Sequence, residues 1–204
     1  MTFHRDVLRI DPEAVTAELV ANLTHDVRHR LRRTGAVVGI SGGIDSSVVL
    51  ALCVRAFGAA RVLRVMMPEQ DSSHVSAELA RVLADQLGVE TTLEDLSGAL
   101  AGFGCYERRD EAIRRVFPHY DSGYKARIAL PGNVLQSETL NVFYLTIISP
   151  EGKEESKRLN ARDFLQIVAA SNFKQRSRMA MLYYHAELRN YAVIGTPNKN
   201  EHEQ

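Results

Sequence analysis

The chain has 204 residues, 45% of them hydrophobic, which is enough for one sizeable α/β domain. Acidic and basic residues balance at 25 each, so no field of one sign gathers nucleic acid or an anionic membrane, and small molecules are the expected partners. No apolar run approaches the ~20 residues that span a bilayer and the N-terminus carries no apolar leader, so the expected location is the cytoplasm.

Asp11 and Pro12 read as the cap and first-turn proline of a helix whose Val15, Leu19, Leu23, Val27 and Leu31 form one apolar stripe. The run from Ala36 to Ile40 reads as a strand, followed by a glycine-rich turn and a helix from about Ser46 to Phe57, closed by Gly58. A second strand, Val62 to Met67, stops at Pro68. Asp71, Ser72 and Ser73 then cap a helix carrying Val75, Leu79, Val82, Leu83 and Leu87, before a strand from Val89 to Leu93. Strands alternating with helices predict a doubly wound parallel sheet, with ligands beyond the carboxyl ends of its strands.

From Cys105 to about Ala170 the pattern changes, and this stretch reads as an insertion in a single domain. Glu107 to Phe117 looks helical. Ile128 to Pro131 and Asn141 to Ser149 look extended, with a turn over Pro150 to Lys153, which together predict a hairpin. The charged stretch Lys153 to Arg158 reads as a solvated turn. A long helix, about Phe173 to Leu188, then leads into a strand from Tyr191 to Ile194. Cys53 and Cys105 give neither a disulfide framework nor a zinc site, and His74, His119, His185 and His202 lack metal spacing.

The turn is the informative part. Gly42 and Gly43 let the backbone bend sharply and approach a ligand, while the amides that open the next helix point at whatever anion lies there. The loop lacks a Walker lysine and carries an acid, Asp45, where phosphate would lie. Two like charges about 4 Å apart repel by roughly 4 kcal/mol at an effective dielectric near 20. A bridging cation removes that cost, and magnesium is inferred; the alternative is that Asp45 caps the helix at Ser46. A second polar loop, Thr196 to Glu201, follows the last strand and converges on the same crevice. Backbone around Gly42 and Gly43 and the hydroxyls of Ser41, Ser46 and Ser47 would bind the pyrophosphate part of ATP, with Asp45 and Glu201 on magnesium. Ser46 alone could simply start a helix, and Glu201 could be an exposed acid. Arg176 and Arg178, two apart on the long helix, diverge and cannot both face one ligand.

The segment Ser41-Gly42-Gly43-Ile44-Asp45-Ser46 resembles the pyrophosphatase loop of N-type ATP pyrophosphatases. Asn172 to Met179 followed by Ile194 to Glu201 is similar to NAD synthetase in particular. That resemblance implies an ATP-dependent amidation of nicotinic acid adenine dinucleotide through an acyl-adenylate, with ammonia as nitrogen donor. It places ATP on Gly39, Ile40, Ser41, Gly42, Gly43, Ile44, Asp45, Ser46 and Thr196, and puts Asp45 and Ser46 at the chemistry. It gives magnesium to Asp45 and Glu201, and the dinucleotide to Arg176, Asn172 and Tyr183. It also implies a homodimer, an adenine pocket lined by Met66 to Pro68, and a further C-terminal part that would make this chain a piece of a longer enzyme. With no glutaminase domain ahead of the core, ammonia would arrive free or from a separate partner. Another adenylating amidase or thiolase with the same loop, and a non-catalytic nucleotide-binding domain, are the rival readings.

Overall fold

The computed structural model describes residues 9–72, 86–129 and 143–197. Among them the strands are β1 (Ala36–Gly39), β2 (Val62–Met66), β3 (Glu90–Leu93), β4 (Lys125–Ala129), β5 (Tyr144–Ile148), β6 (Glu154–Arg158) and β7 (Ala192–Ile194). The α-helices are α1 (Pro12–His25), α2 (Ile44–Phe57), α3 (Ser97–Gly102), α4 (Cys105–Val116) and α5 (Ala161–Arg189). These elements fall into two compact units: Gly98–Ser177, and the described residues on either side of it.

In the first unit four parallel strands lie in the order β3-β2-β1-β7, with Val38 opposite Arg64 on one side and Ile194 on the other. Both faces of this sheet are covered at β1 and β2, which is why those strands are nearly continuous apolar runs, whereas the edge strand β3 is polar and largely exposed. Alternation along β1 sends Ala36 and Val38 into a core with Val27, Leu50, Cys53 and Phe57. Val37 goes to the other face with Leu63, Val65, and Leu182 and Ala186 of α5. Helices on opposite faces of a parallel sheet are the doubly wound arrangement expected from the sequence. Arg64 is 2% exposed and, by the same alternation, shares the face of Val62 and Met66.

Asp11 caps α1 as expected, its Oδ1 accepting the amides of Glu13 (3.0 Å) and Ala14 (3.2 Å). The predicted stripe is used only in part. The helix widens to a π-turn over Asp26–Arg30, which carries the buried Val27, while Leu19 and Leu31 stay exposed. The expected helix over Val75 to Leu87 falls largely outside the described residues.

In the second unit β4-β5-β6 form an antiparallel sheet. Leu145 and Ile147 point from β5 into a core with Ala112 and Ile113 of α4, Phe117 just beyond its end, and Ile167 of α5. The turn over Pro150 to Lys153 is present, closed by Gly152 N–H donating to Ser149 O (2.9 Å) with Gly152 at φ +84°. The charged stretch that follows is not a solvated turn: it is β6, pairing Glu154 through Arg158 with β5. A charged, exposed sequence suits a sheet edge, where it discourages further pairing.

The long helix starts at Ala161, not near Phe173. Asn160 caps it, its Oδ1 accepting the Asp163 amide (2.9 Å) while its Nδ2 donates to Asp163 Oδ2 (2.7 Å). Arg115 Nε adds a 2.7 Å hydrogen bond to the other oxygen of this buried carboxylate.

Candidate functional site

The backbone of β1 continues its ladder for one residue beyond Gly39, Ile40 N–H donating to Val65 O (3.0 Å), and then turns. Gly42 has φ +84°, a left-handed backbone that costs an L side chain about 1–2 kcal/mol. Gly43, at φ −80° and ψ 162°, is the N-cap of α2, and no side chain caps that end. The helix therefore begins at Ile44, two residues before the expected start, and Asp45 lies inside its first turn instead of capping it.

The serines divide from the amides in what they do. Ser46 is 3% exposed and donates its hydroxyl to Gly43 O (3.1 Å), with Ser41 Oγ 3.5 Å away. The Ser47 hydroxyl also donates to Gly43 O (2.8 Å), and Ser41 Oγ accepts Gly43 N–H (3.3 Å). Three hydroxyls thus brace the turn. The amides of Ile44, Asp45 and Ser46, by contrast, occupy the first helical turn, where no carbonyl of the helix can reach them. Ile44 is 78% exposed and Asp45 is exposed, so this polar end opens outward. Partial positive charge at such a terminus favours an anion.

Gly39 is held close to its neighbours. A Cβ there would stand 3.1 Å from Met67 Cε and 3.2 Å from Leu182 Cδ1. Because β1 and β7 are parallel neighbours in register, Gly195, Thr196 and Pro197 leave the sheet from the same edge as Ile40 and Ser41. Thr196 is half-buried. The two strand ends that the sequence brings to one crevice are therefore adjacent. Glu201 lies outside the described residues. On α5, Asn172 and Arg176 stand one turn apart and both are exposed; Tyr183 is 54% exposed in the other unit. Arg178 departs from Arg176 as expected and reaches Glu69, Nη2 to Oε1 3.6 Å.

The family model described as NAD synthase matches residues 15–130 and 137–203. The chain belongs to the NAD synthase family. It is 49% identical over 198 residues to the NH(3)-dependent NAD(+) synthetase of Mesorhizobium japonicum, covering 97% of this chain and 62% of that protein. To the enzyme of the same description from Rhizobium meliloti it is 44% identical over 204 residues, covering 100% of this chain and 60% of that protein. Among solved structures, the NH3-dependent NAD synthetase of Campylobacter jejuni, in complex with nitrate, matches with a TM-score of 0.60 at 25% identity, over 95% of this chain and 59% of that one. The chain thus spans about 60% of the length of the curated relatives it matches.

For an NAD synthase family site the donor set near α2 suits magnesium carried on a nucleotide. No group of three or more His, Cys, Asp or Glu side chains converges among the described residues. Magnesium carried on a triphosphate would take phosphate oxygens and water plus one or two carboxylates, and Asp45 offers an exposed one at the N-terminus of α2. Glu69, an acid directly after Pro68 beyond the end of β2, is instead buried and paired with Arg178.

Proposed function

We propose that this chain carries the ATP-handling core of an ammonia-dependent NAD synthetase, a single ATP-pyrophosphatase domain with an insertion over about 105–170. The supporting observation is the glycine-capped, outward-opening N-terminus of α2, set beside the end of β7. In this reading the carboxylate of nicotinic acid adenine dinucleotide attacks the α-phosphorus of ATP, and pyrophosphate leaves. The nitrogen of ammonia then adds to the acyl carbon, AMP departs with the bridging oxygen, and a proton is lost. Adenylation supplies the leaving group that a bare carboxylate lacks.

Each residue then has a task. The amides of Ile44, Asp45 and Ser46 receive the charge on the departing pyrophosphate, and Ser41, Ser46 and Ser47 keep the turn in place while it develops. Gly39 to Gly43 admit the phosphates closely, and Thr196 meets them from the neighbouring strand end. Asp45 and Glu201 hold magnesium, which neutralises phosphate charge when bound. Arg176, Asn172 and Tyr183 contact the dinucleotide, and a second copy of the chain completes that site in a cytoplasmic homodimer.

The test supplies the chain with ATP, magnesium and ammonium and compares nicotinic acid adenine dinucleotide with xanthosine monophosphate as acceptor. ATP binding is read separately by calorimetry. AMP formed only with the dinucleotide is the expected result. AMP formed only with xanthosine monophosphate, or no ATP binding, overturns the proposal.

A further inference from the structure

At the carboxyl end of β2 the chain runs through Met67, Pro68 and Glu69 into a tight turn. Ser72 N–H donates to Glu69 O (2.8 Å), and Glu69 N–H donates to Ser72 Oγ (3.0 Å). Met67 of this segment packs where Gly39 enters the phosphate loop. One side is tied to the β3 end through the backbone: Glu94 N–H donates to Met66 O (2.8 Å) and Leu96 N–H to Pro68 O (2.9 Å).

The other tie is ionic. The Glu69 side chain is 6% exposed, and its carboxylate takes the Asp71 amide (3.2 Å) and the guanidinium of Arg178 (3.6 Å). A carboxylate this buried depends on such partners, since desolvating an uncompensated charge is costly. Arg178 sits on the part of α5 that covers the sheet, with Leu182 and Ala186 in the core one and two turns further on. His185 makes a parallel contact, its Nε2 lying 2.8 Å from Glu94 Oε1 at the β3 end. The part of α5 from Arg178 onward thus grips the strand ends beside the phosphate loop.

We infer that Arg178 is a positioning residue for nucleotide binding: by holding Glu69 it fixes the Met66–Ser72 turn as the wall against which the adenine ring of ATP rests. This rests on the proposed ATP site. It gives Arg178 a task distinct from the one proposed for Arg176. Without the guanidinium, the Glu69 carboxylate loses its ion pair with α5. Because the backbone of Glu69 carries both hydrogen bonds of the turn, the wall is then held less firmly against the helix, while the serine-braced glycine loop is unaffected.

Calorimetric binding distinguishes base from phosphate. For Arg178→Met the dissociation constant for magnesium-ATP is expected to rise about tenfold, equal to ~1.4 kcal/mol, while that for magnesium tripolyphosphate changes less than about twofold. Arg178→Lys should recover part of the loss. Glu69→Gln should weaken ATP similarly, and the double variant should be no worse than either single one. Should Arg178→Met fail to fold in a thermal melt, Arg178→Lys and Glu69→Gln carry the comparison. Tripolyphosphate weakened as much as ATP would mean direct phosphate contact and overturn the inference, as would an unchanged ATP affinity. Wild-type protein that binds no ATP counts instead against the proposed site itself.

Discussion

Asp45→Asn separates chemistry from folding. Asp45 is exposed in the first turn of α2, so its contribution to stability comes from the helix dipole, about 0.3–1 kcal/mol at such a position. For a chain of this size that is a fall in Tm of less than about 4 °C. The proposed cation is another matter. A carboxylate charge about 4 Å from a cationic centre is worth roughly 4 kcal/mol at an effective dielectric near 20, which corresponds to about a thousandfold in rate. AMP formation followed by chromatography at saturating ATP should therefore drop by about three orders of magnitude, partly restored by excess magnesium, while the melt barely moves. Turnover within about threefold of wild type would refute the assignment of Asp45 to the metal. A large fall in Tm would instead mean that the carboxylate supports the fold.

Further outcomes follow from the packing. Asp163→Ala removes the acceptor of Arg115 and Asn160 from a buried position and should lower unfolding free energy by about 3 kcal/mol in urea, the low end for a broken pair because Arg115 is partly exposed; an unchanged midpoint would refute this. In Gly35→Ala the new Cβ would collide with the Arg61 carbonyl oxygen and lie 2.7 Å from Tyr191 Cε1, so about 1–3 kcal/mol should be lost, and a stable variant would contradict the packing. Burial pushes the Cys53 thiol from 9.0 up to about 12. The folded state then holds that proton more tightly than the unfolded chain. Its contribution, ~4 kcal/mol at most, is complete below pH 9 and is lost as pH rises toward 12. Urea midpoints at about pH 8 and about pH 10.5 should converge when wild type is replaced by Cys53→Ala; an equal pH slope in both would be the contrary result.

The parallel sheet was legible because β1, β2 and the phosphate loop follow rules that are local in sequence: an apolar run, a glycine where φ is positive, a cap. Gly42 and Asp11 are instances where residue type and backbone agree. Errors came where tertiary contacts decide. Glu154 to Arg158 has the composition of a solvated turn, and only pairing with β5 makes it a strand. The long helix was expected from about Phe173, yet α5 begins at Ala161, where Asn160 caps it and Ile167 joins the core of the second unit. Glu69 was invisible as a partner for Arg178, since an ion pair so distant in sequence leaves no periodic trace.

The placement of β7 bears on how the molecule is made. Ile194 pairs with Val38, so the edge that brings Thr196 beside the glycine loop cannot form until nearly everything between them has been synthesised. During translation β1, β2 and β3 can assemble first, with the flank of β1 awaiting its last neighbour. Closing so long a loop costs entropy that grows only slowly with length, yet it delays the contact. A nascent chain arrested before β7 would therefore expose a bare strand edge, a site at which a chaperone or a second nascent chain would compete with the native partner.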